Sequence, residues 1–399
     1  MKVLIINQAF YPDVVATAQK SADLALRLVE AGHEVTVLAS SRAYDQPERR
    51  FAARQDWRGV QIVRTAGTGL GKSAKWRRMV DFGSFWLSCL AELAMLPAHD
   101  VVVAMTSPPL IALPAALFVR WKGGRLVSWI MDLNPDEAVA AGWLRAGSAT
   151  HRALSACLDY SLHGSSRVIV LDRFMAERVR EKGVETGRIE VLPPWAHNRS
   201  VQFDEAGRAA FRRKHGLEDR FVVMYAGNHS PCHPLDSVLA AAQRLRHDAR
   251  VKFCFIGGGG QFGKVKAFAA DHGLDNVLCL PYQPFDELAA ALSAADLHLA
   301  VMGEPYVGIV HPCKVYDILT IGAPCLFVGP VESHVGDLAR LASHLYTASH
   351  GEVDLILEHV SRAVRTPGRA PSHQQLAGRY SQDVLVPKMV ESLEAVARS

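Results

Sequence analysis

The chain has 399 residues, 49% hydrophobic and 21% charged, which is enough to bury the cores of two ordinary α/β domains and too apolar for a disordered segment. A net charge of +4 suits an anionic small substrate or a lipid surface and lacks the dense basic stripe of a nucleic-acid binder, so no nucleic-acid partner is expected. The seven cysteines never form a CxxC pair, which argues against a disulfide framework or a zinc site and fits a reducing, cytoplasmic compartment.

Val3–Asn7 reads as a buried strand with no signal-peptide pattern around it. Thr17 then stands as the cap of a helix whose Ala18, Ala22, Ala25 and Val29 recur at helical spacing up to Gly32, and Val35–Ala39 is the next strand. The apolar stretch Phe82–Leu96 is interrupted by Glu92 and ended by Pro97, short of the roughly 20 residues of a membrane span. The basic run Lys72-Ser73-Ala74-Lys75-Trp76-Arg77-Arg78 leads into it, followed by Phe82, Phe85, Trp86 and Leu90. That combination suits a peripheral contact at the cytoplasmic face of an anionic membrane and equally suits a core helix with a solvated lead-in.

Strands at Val101–Met105, Leu126–Met131 and Val168–Leu171 alternate with helices at Leu110–Trp121 and from the Asp172 cap to Gly183. The first 194 residues therefore read as one parallel, doubly wound domain. A Pro-rich linker is expected over residues 195–207 and a second Rossmann-like domain over 208–375. Its strands are Phe221–Ala226, Val251–Ile256, Val277–Leu280, Leu297–Val301 and Cys325–Val328, with a helix from Asp236 and another capped by Asp286. Residues 376–399 read as a terminal helix that packs back on the first domain.

Five segments carry candidate chemistry. Gly258-Gly259-Gly260-Gln261-Phe262-Gly263 satisfies G-x-G-x-x-G, as a turn near a donor nucleotide or as tight packing; the acidic ribose ligand that a dinucleotide site needs about 20 residues on is missing, because the next strand ends Leu280-Pro281-Tyr282. Gly227-Asn228-His229, with His233 further on, lies at a strand's carboxyl end, where the histidines can serve a phosphate or sugar; no third ligand nearby makes them a metal site. Lys314, at a helix start, can bind phosphate as a point charge. Asp132, at the end of a strand in the first half, is the acceptor-side carboxylate, able to orient or deprotonate a hydroxyl, or else an ordinary turn former. Gln283, in the turn after the third strand of the second half, is a base contact or a plain turn residue.

The segment Gly303-Glu304-Pro305-Tyr306-Val307-Gly308-Ile309-Val310-His311-Pro312-Cys313-Lys314-Val315-Tyr316-Asp317, running on to Gly322-Ala323-Pro324, resembles the donor-site helix of family 4 retaining glycosyltransferases (glycosyl transferases group 1). Its Pro-x-Lys-x-Tyr-Asp pattern, with Asn228-His229 earlier, is similar to the WbuB-like subgroup that builds bacterial surface polysaccharides. The resemblance implies an α/β fold of GT-B type: two Rossmann-like domains facing across a cleft, with a C-terminal helix crossing back. It also implies that Asp317 holds the donor ribose, that the Gly308–His311 loop (Gly308, Ile309, Val310, His311) contacts the donor, and that Glu304 or Lys314 acts at the sugar and diphosphate. Where the family usually carries a second glutamate, this sequence has Ile309. The first loop, with Tyr11, Asp13 and Thr17, resembles the family's acceptor-facing loop, and its usual glycine pair is replaced by Val15-Ala16-Thr17.

The implied reaction transfers a sugar from a nucleoside diphosphate, most often UDP, to a hydroxyl of a lipid-linked saccharide, with retention and with neither cofactor nor metal. The alternatives are a nucleotide-sugar epimerase and a non-catalytic nucleotide-sugar-binding scaffold of a polysaccharide assembly.

Overall fold

The computed structural model describes residues 1–44, 46, 48–70, 75–196 and 201–399. The chain divides into two compact units, Met1–Pro194 with Leu385–Ser399, and Trp195–Val384.

The first unit is built on an eight-stranded sheet: β1 Lys2–Ile6, β2 Glu34–Ser40, β3 Arg54–Trp57, β4 Val60–Thr65, β5 Val101–Ala104, β6 Arg125–Trp129, β7 Arg167–Val170 and β8 Ile189–Val191. The order is β3-β4-β2-β1-β5-β6-β7-β8, parallel except for the β3–β4 hairpin. Val3–Ile6 and Val101–Ala104 are wholly buried, because helices cover both faces and a parallel strand reads as a continuous apolar run.

The β3–β4 hairpin was not legible as strands. Its two-residue loop, Arg58-Gly59, has both residues at positive φ (56° and 87°), the geometry of the tight turn that matches strand twist. The first helix is Ala16–Glu30, and the residue before it, Val15, makes no side-chain cap; Thr17 lies inside the first turn and is not the cap expected. Asp172 does cap its helix, accepting from the Met175 amide at 2.8 Å.

Helix Lys75–Met95 sends Phe85, Cys89 and Leu93 into a cluster with Leu4, Ile6, Val102 and Phe118, so Phe85 and part of Trp86 serve the core and not a membrane. Residues 72–74 of the basic lead-in lie outside the described residues.

The second unit has a six-stranded, all-parallel sheet: β9 Phe221–Asn228, β10 Val251–Gly258, β11 Val277–Leu280, β12 Leu297–Val301, β13 Cys325–Val328 and β14 Leu345–Ala348, in the order β11-β10-β9-β12-β13-β14. Within the expected linker, Trp195, Ala196 and Val201 are buried, and Asp204 caps a helix over Glu205–Lys214 by accepting from Gly207 at 2.8 Å. Asp286 caps nothing; it sits in the turn Phe285–Glu287, and the helix Leu288–Ser293 follows without a side-chain cap.

The terminal stretch is two helices, Pro371–Arg379 and Gln382–Arg398, not one. From Leu385 on, the second belongs to the first unit: it buries Val386, Met389, Leu393 and Val396, Ser392 donates to Glu190 at 2.6 Å, and His33 meets Glu394 at 3.0 Å.

Candidate active site

In the second sheet β9 lies between β10 and β12, so the crossovers leave it in opposite directions and its carboxyl end opens at a topological switch point. Tyr225, on β9, is fully buried, and its hydroxyl donates to the Asn228 carbonyl at 2.9 Å. The Lys314 ammonium sits 3.5 Å from the centre of that ring, at the first residue of helix Lys314–Ile321, whose C-cap is Gly322 at φ 75°. Its Nζ is sealed from solvent and has no hydrogen-bond partner. Burial pushes its pKa down to about 7, and the opposing pull of Cys232, Cys325 and Cys313 is weaker. Gly227, at φ 137°, makes the room: a Cβ there would lie 3.1 Å from Nζ.

His229 and His233 pack against the same tyrosine, with ring centres 4.8 and 6.4 Å from it. Each uses Nδ1 on a backbone carbonyl, His229 on Gly227 at 3.0 Å and His233 on Val301 at 2.6 Å. A carbonyl only accepts, so Nδ1 carries the proton and Nε2 the lone pair. Burial first, and the Lys314 charge second, lower their pKa values to about 4 and about 3. Both rings are therefore neutral at pH 7, and the buried Nε2 of His229 has no partner. To donate to a phosphate, His229 must take up a proton as the anion arrives.

Gly257 and Gly259, at the end of β10, have a backbone reason. β9 and β10 stay paired to their ends, Gly257 opposite Gly227 and Gly258 opposite Asn228. A Cβ on Gly257 would fall 2.1 Å from the Gly227 oxygen, and one on Gly259 2.6 Å from the His229 oxygen. His229 donates to Gly258 at 2.7 Å and Gln261 to His229 at 2.9 Å, lacing the two loops together. Close packing accounts for Gly257 and Gly259, whereas a Cβ on Gly260 or Gly263 would meet nothing within 4 Å, and the helix begins only at Phe262. Tyr282 lays its 60% exposed ring against Gly258, while Gln283 bonds the Pro281 carbonyl of its own turn at 2.9 Å and Asn228 is exposed.

In the loop before Lys314, Gly308 takes φ 70°, and the amides of Ile309 and Val310 both reach the Tyr306 carbonyl. Ile309, Val310 and His311 are buried, and His311 bonds the Tyr316 hydroxyl at 2.8 Å and stacks on His334. Asp317 lies in the first turn of the helix that Lys314 opens. Glu304 is exposed, and no hydrogen bond or ion pair links it to the Lys314 group among the described residues. Thus Gly227, His229, His233 and Lys314 come together around Tyr225, a residue whose part as their platform sequence reading missed.

In the first unit, Asp132 follows β6. Burial first, and the charge of Glu137 second, push its pKa up to about 7. Tyr11 stacks on Trp57 of the hairpin at 4.1 Å, and its carbonyl accepts from Arg64 at 2.8 Å. Asp13 accepts from the Tyr44 amide at 3.2 Å. Arg64 and Lys20 are buried cations near this first loop that went unnoticed; their signal was a charge at an inward position, in an apolar strand and on an apolar helix face.

Two Rossmann-like sheets, parallel but for the β3–β4 hairpin, are the architecture of the GT-B fold. Comparison with known proteins agrees: a glycosyl transferase 4-like domain matches residues 17–195, and glycosyl transferases group 1 matches residues 207–310, stopping short of Lys314 and Asp317. The chain is a glycosyltransferase built from these two domains. It is 25% identical over 405 residues to WcaI of Escherichia coli (strain K12), assigned as a colanic acid biosynthesis glycosyl transferase, with 96% of each chain covered. Among solved structures it resembles sucrose-phosphate synthase of Thermosynechococcus elongatus, with a TM-score of 0.79 at 12% identity and 100% of both chains covered. It also resembles Anabaena HepE in complex with UDP-glucose, with a TM-score of 0.71 at 14% identity, covering 99% of this chain and 100% of that one.

Proposed function

We propose that the protein transfers a sugar from a UDP-sugar to a hydroxyl of a lipid-linked saccharide, with retention, in the synthesis of a bacterial surface polysaccharide. The observation that carries this reading is the sealed, unpartnered Lys314 ammonium beside the unpartnered Nε2 of His229 at the switch point: burial has pulled the lysine down to about 7, and an arriving anion supplies the counter-charge that holds its proton. Colanic acid synthesis by the relative supports the polysaccharide, and UDP-glucose in the HepE structure supports the donor class.

In this reaction the bond between the sugar's anomeric carbon and the diphosphate oxygen breaks, and the acceptor oxygen bonds to that carbon on the same face. The acceptor's proton passes to the departing phosphate oxygen. Lys314 stabilises the charge that builds on the diphosphate, Asp317 holds the ribose, and Asp132 orients the acceptor hydroxyl. These roles call on no metal.

Calorimetric titration with UDP, GDP, ADP and TDP, with and without magnesium, tests the reading. One nucleotide binds without the metal, and Asp317→Ala weakens it about tenfold or more, the worth of a charged hydrogen bond. Binding of none by folded protein overturns it. The buried Ile309, standing where the family's glutamate is usual, favours a second reading, a non-catalytic nucleotide-sugar scaffold; nucleotide binding with no transfer to any membrane-extract acceptor identifies it.

A further inference from the structure

One surface of the first unit is not explained by sugar transfer. On helix Lys75–Met95 the positions Trp76, Val80, Gly83, Leu87, Ala91 and Ala94 recur in steps of four and three, and all are exposed. The stripe runs about 27 Å at 1.5 Å per residue and carries no charge along its length. It lies opposite the buried Phe85, Cys89 and Leu93, so the helix is apolar on both sides although only one has a core to face. Leu87 is 70% exposed and Trp76 59%.

The neighbouring helix Ala112–Lys122 packs into the same cluster and adds Leu117 and Trp121, the latter 65% exposed. Lys122 ties the two helices together by donating to the Ala94 carbonyl at 3.2 Å. Large apolar side chains left exposed on two helices that pack together mark a partner.

The cations say which partner. Arg77 lies 5.5 Å from the Trp76 ring centre, and the Lys122 ammonium 4.3 Å from that of Trp121, so each outward indole has a cation on its face. The flanking acids turn away: Asp81 is held by Thr68 and the Leu70 amide, and Glu92 by Arg54. No helix among the described residues is long and apolar enough to cross a bilayer.

We infer that the face formed by Trp76, Val80, Leu87, Leu117 and Trp121 docks on an anionic lipid surface, with the apolar stripe in the headgroup boundary and the two tryptophan–cation pairs on lipid phosphates. An indole body with a cation beside it is the chemistry of an interfacial anchor, apolar inward and phosphate-binding at the rim. A second copy of the chain would offer the same cations to each other. This inference stands on the surface alone and is independent of the donor site.

The test is co-sedimentation of the whole protein with phosphatidylcholine vesicles, with and without phosphatidylglycerol, with Leu87→Glu and Trp121→Ala as variants. The protein follows the anionic vesicles, added salt weakens the association, and Leu87→Glu lowers the bound fraction about tenfold, because the new charge meets both the apolar layer and the anionic heads. Both side chains are exposed, so the variants keep the wild-type melting temperature. No binding to anionic vesicles, or equal binding by Leu87→Glu, overturns the inference. So does a wild-type dimer on gel filtration that Leu87→Glu converts to monomer without any vesicle binding, which assigns the face to self-association.

Discussion

Asp132 in the first unit and Lys314 in the second occupy corresponding kinds of place, each just beyond the carboxyl end of a parallel sheet, and burial drives both towards neutrality from opposite directions. The carboxyl rises to about 7 and the ammonium falls to about 7, desolvation being the largest cause in each. The architecture puts a withdrawn titratable group at each sheet's functional edge, and residue identity alone decides whether it is a proton-rich acid or a proton-poor base. In the proposed reaction the second unit meets an anion and the first a hydroxyl.

The largest effect that would break this comparison is on turnover. Asp132→Asn should lower kcat/KM about a hundredfold or more with a lipid-linked acceptor while leaving nucleotide affinity unchanged, as seen by steady-state kinetics beside calorimetry. An unchanged rate would make Asp132 a turn former. The Asp132 carboxyl is raised from 3.8, so the folded protein holds its proton where the unfolded chain has lost it. Its contribution to stability is therefore full below about pH 3.8 and lost as pH climbs from there to about 7, and over that window the asparagine variant gains on wild type.

Lys314→Met sharpens the other half. It should weaken the nucleotide roughly 10- to 100-fold and, without nucleotide, stabilise the fold by roughly 2 kcal/mol in a thermal melt, because a buried unpartnered ammonium is removed. The lysine is depressed from 10.5, so its cost is full below about pH 7 and is relieved as pH rises towards 10.5; the gain in the variant should shrink over that window. Wild-type nucleotide affinity should fall above pH 7, as the ammonium loses its proton, while the methionine variant's stays flat. The smallest effect is expected at Glu304, exposed and tied to nothing in the site: Glu304→Gln should change kcat/KM by no more than about twofold. A large loss would show that Glu304 meets the sugar after all.

Much of this was legible in the chain, for stated reasons. Strands buried on both faces announce themselves as unbroken apolar runs, which is why β1, β5, β9 and β12 fall where expected. Strand β3 escaped because Arg54–Trp57 is polar and half-exposed, so it lacks the apolar signature that marks the central strands; β4, buried at all but Gln61, does not share that reason. Asp172 capped its helix as read and Asp286 did not, since the same residue type serves a cap or a turn depending on where the preceding strand releases the chain.

By itself the sequence determined the two α/β units and the glycine and proline punctuation between elements, and it offered Gly227, His229, His233, Lys314 and Asp317 among its donor-site candidates. Only the tertiary structure decided what those groups are like. It sealed Lys314 over Tyr225, placed both histidine Nδ1 protons on backbone carbonyls, gave Gly257 and Gly259 a packing reason, and turned Phe85 inward while leaving Trp76 and Leu87 out. The physical reason is that periodicity and turn chemistry are local, whereas desolvation, tautomer and exposure depend on which atoms distant segments bring into contact.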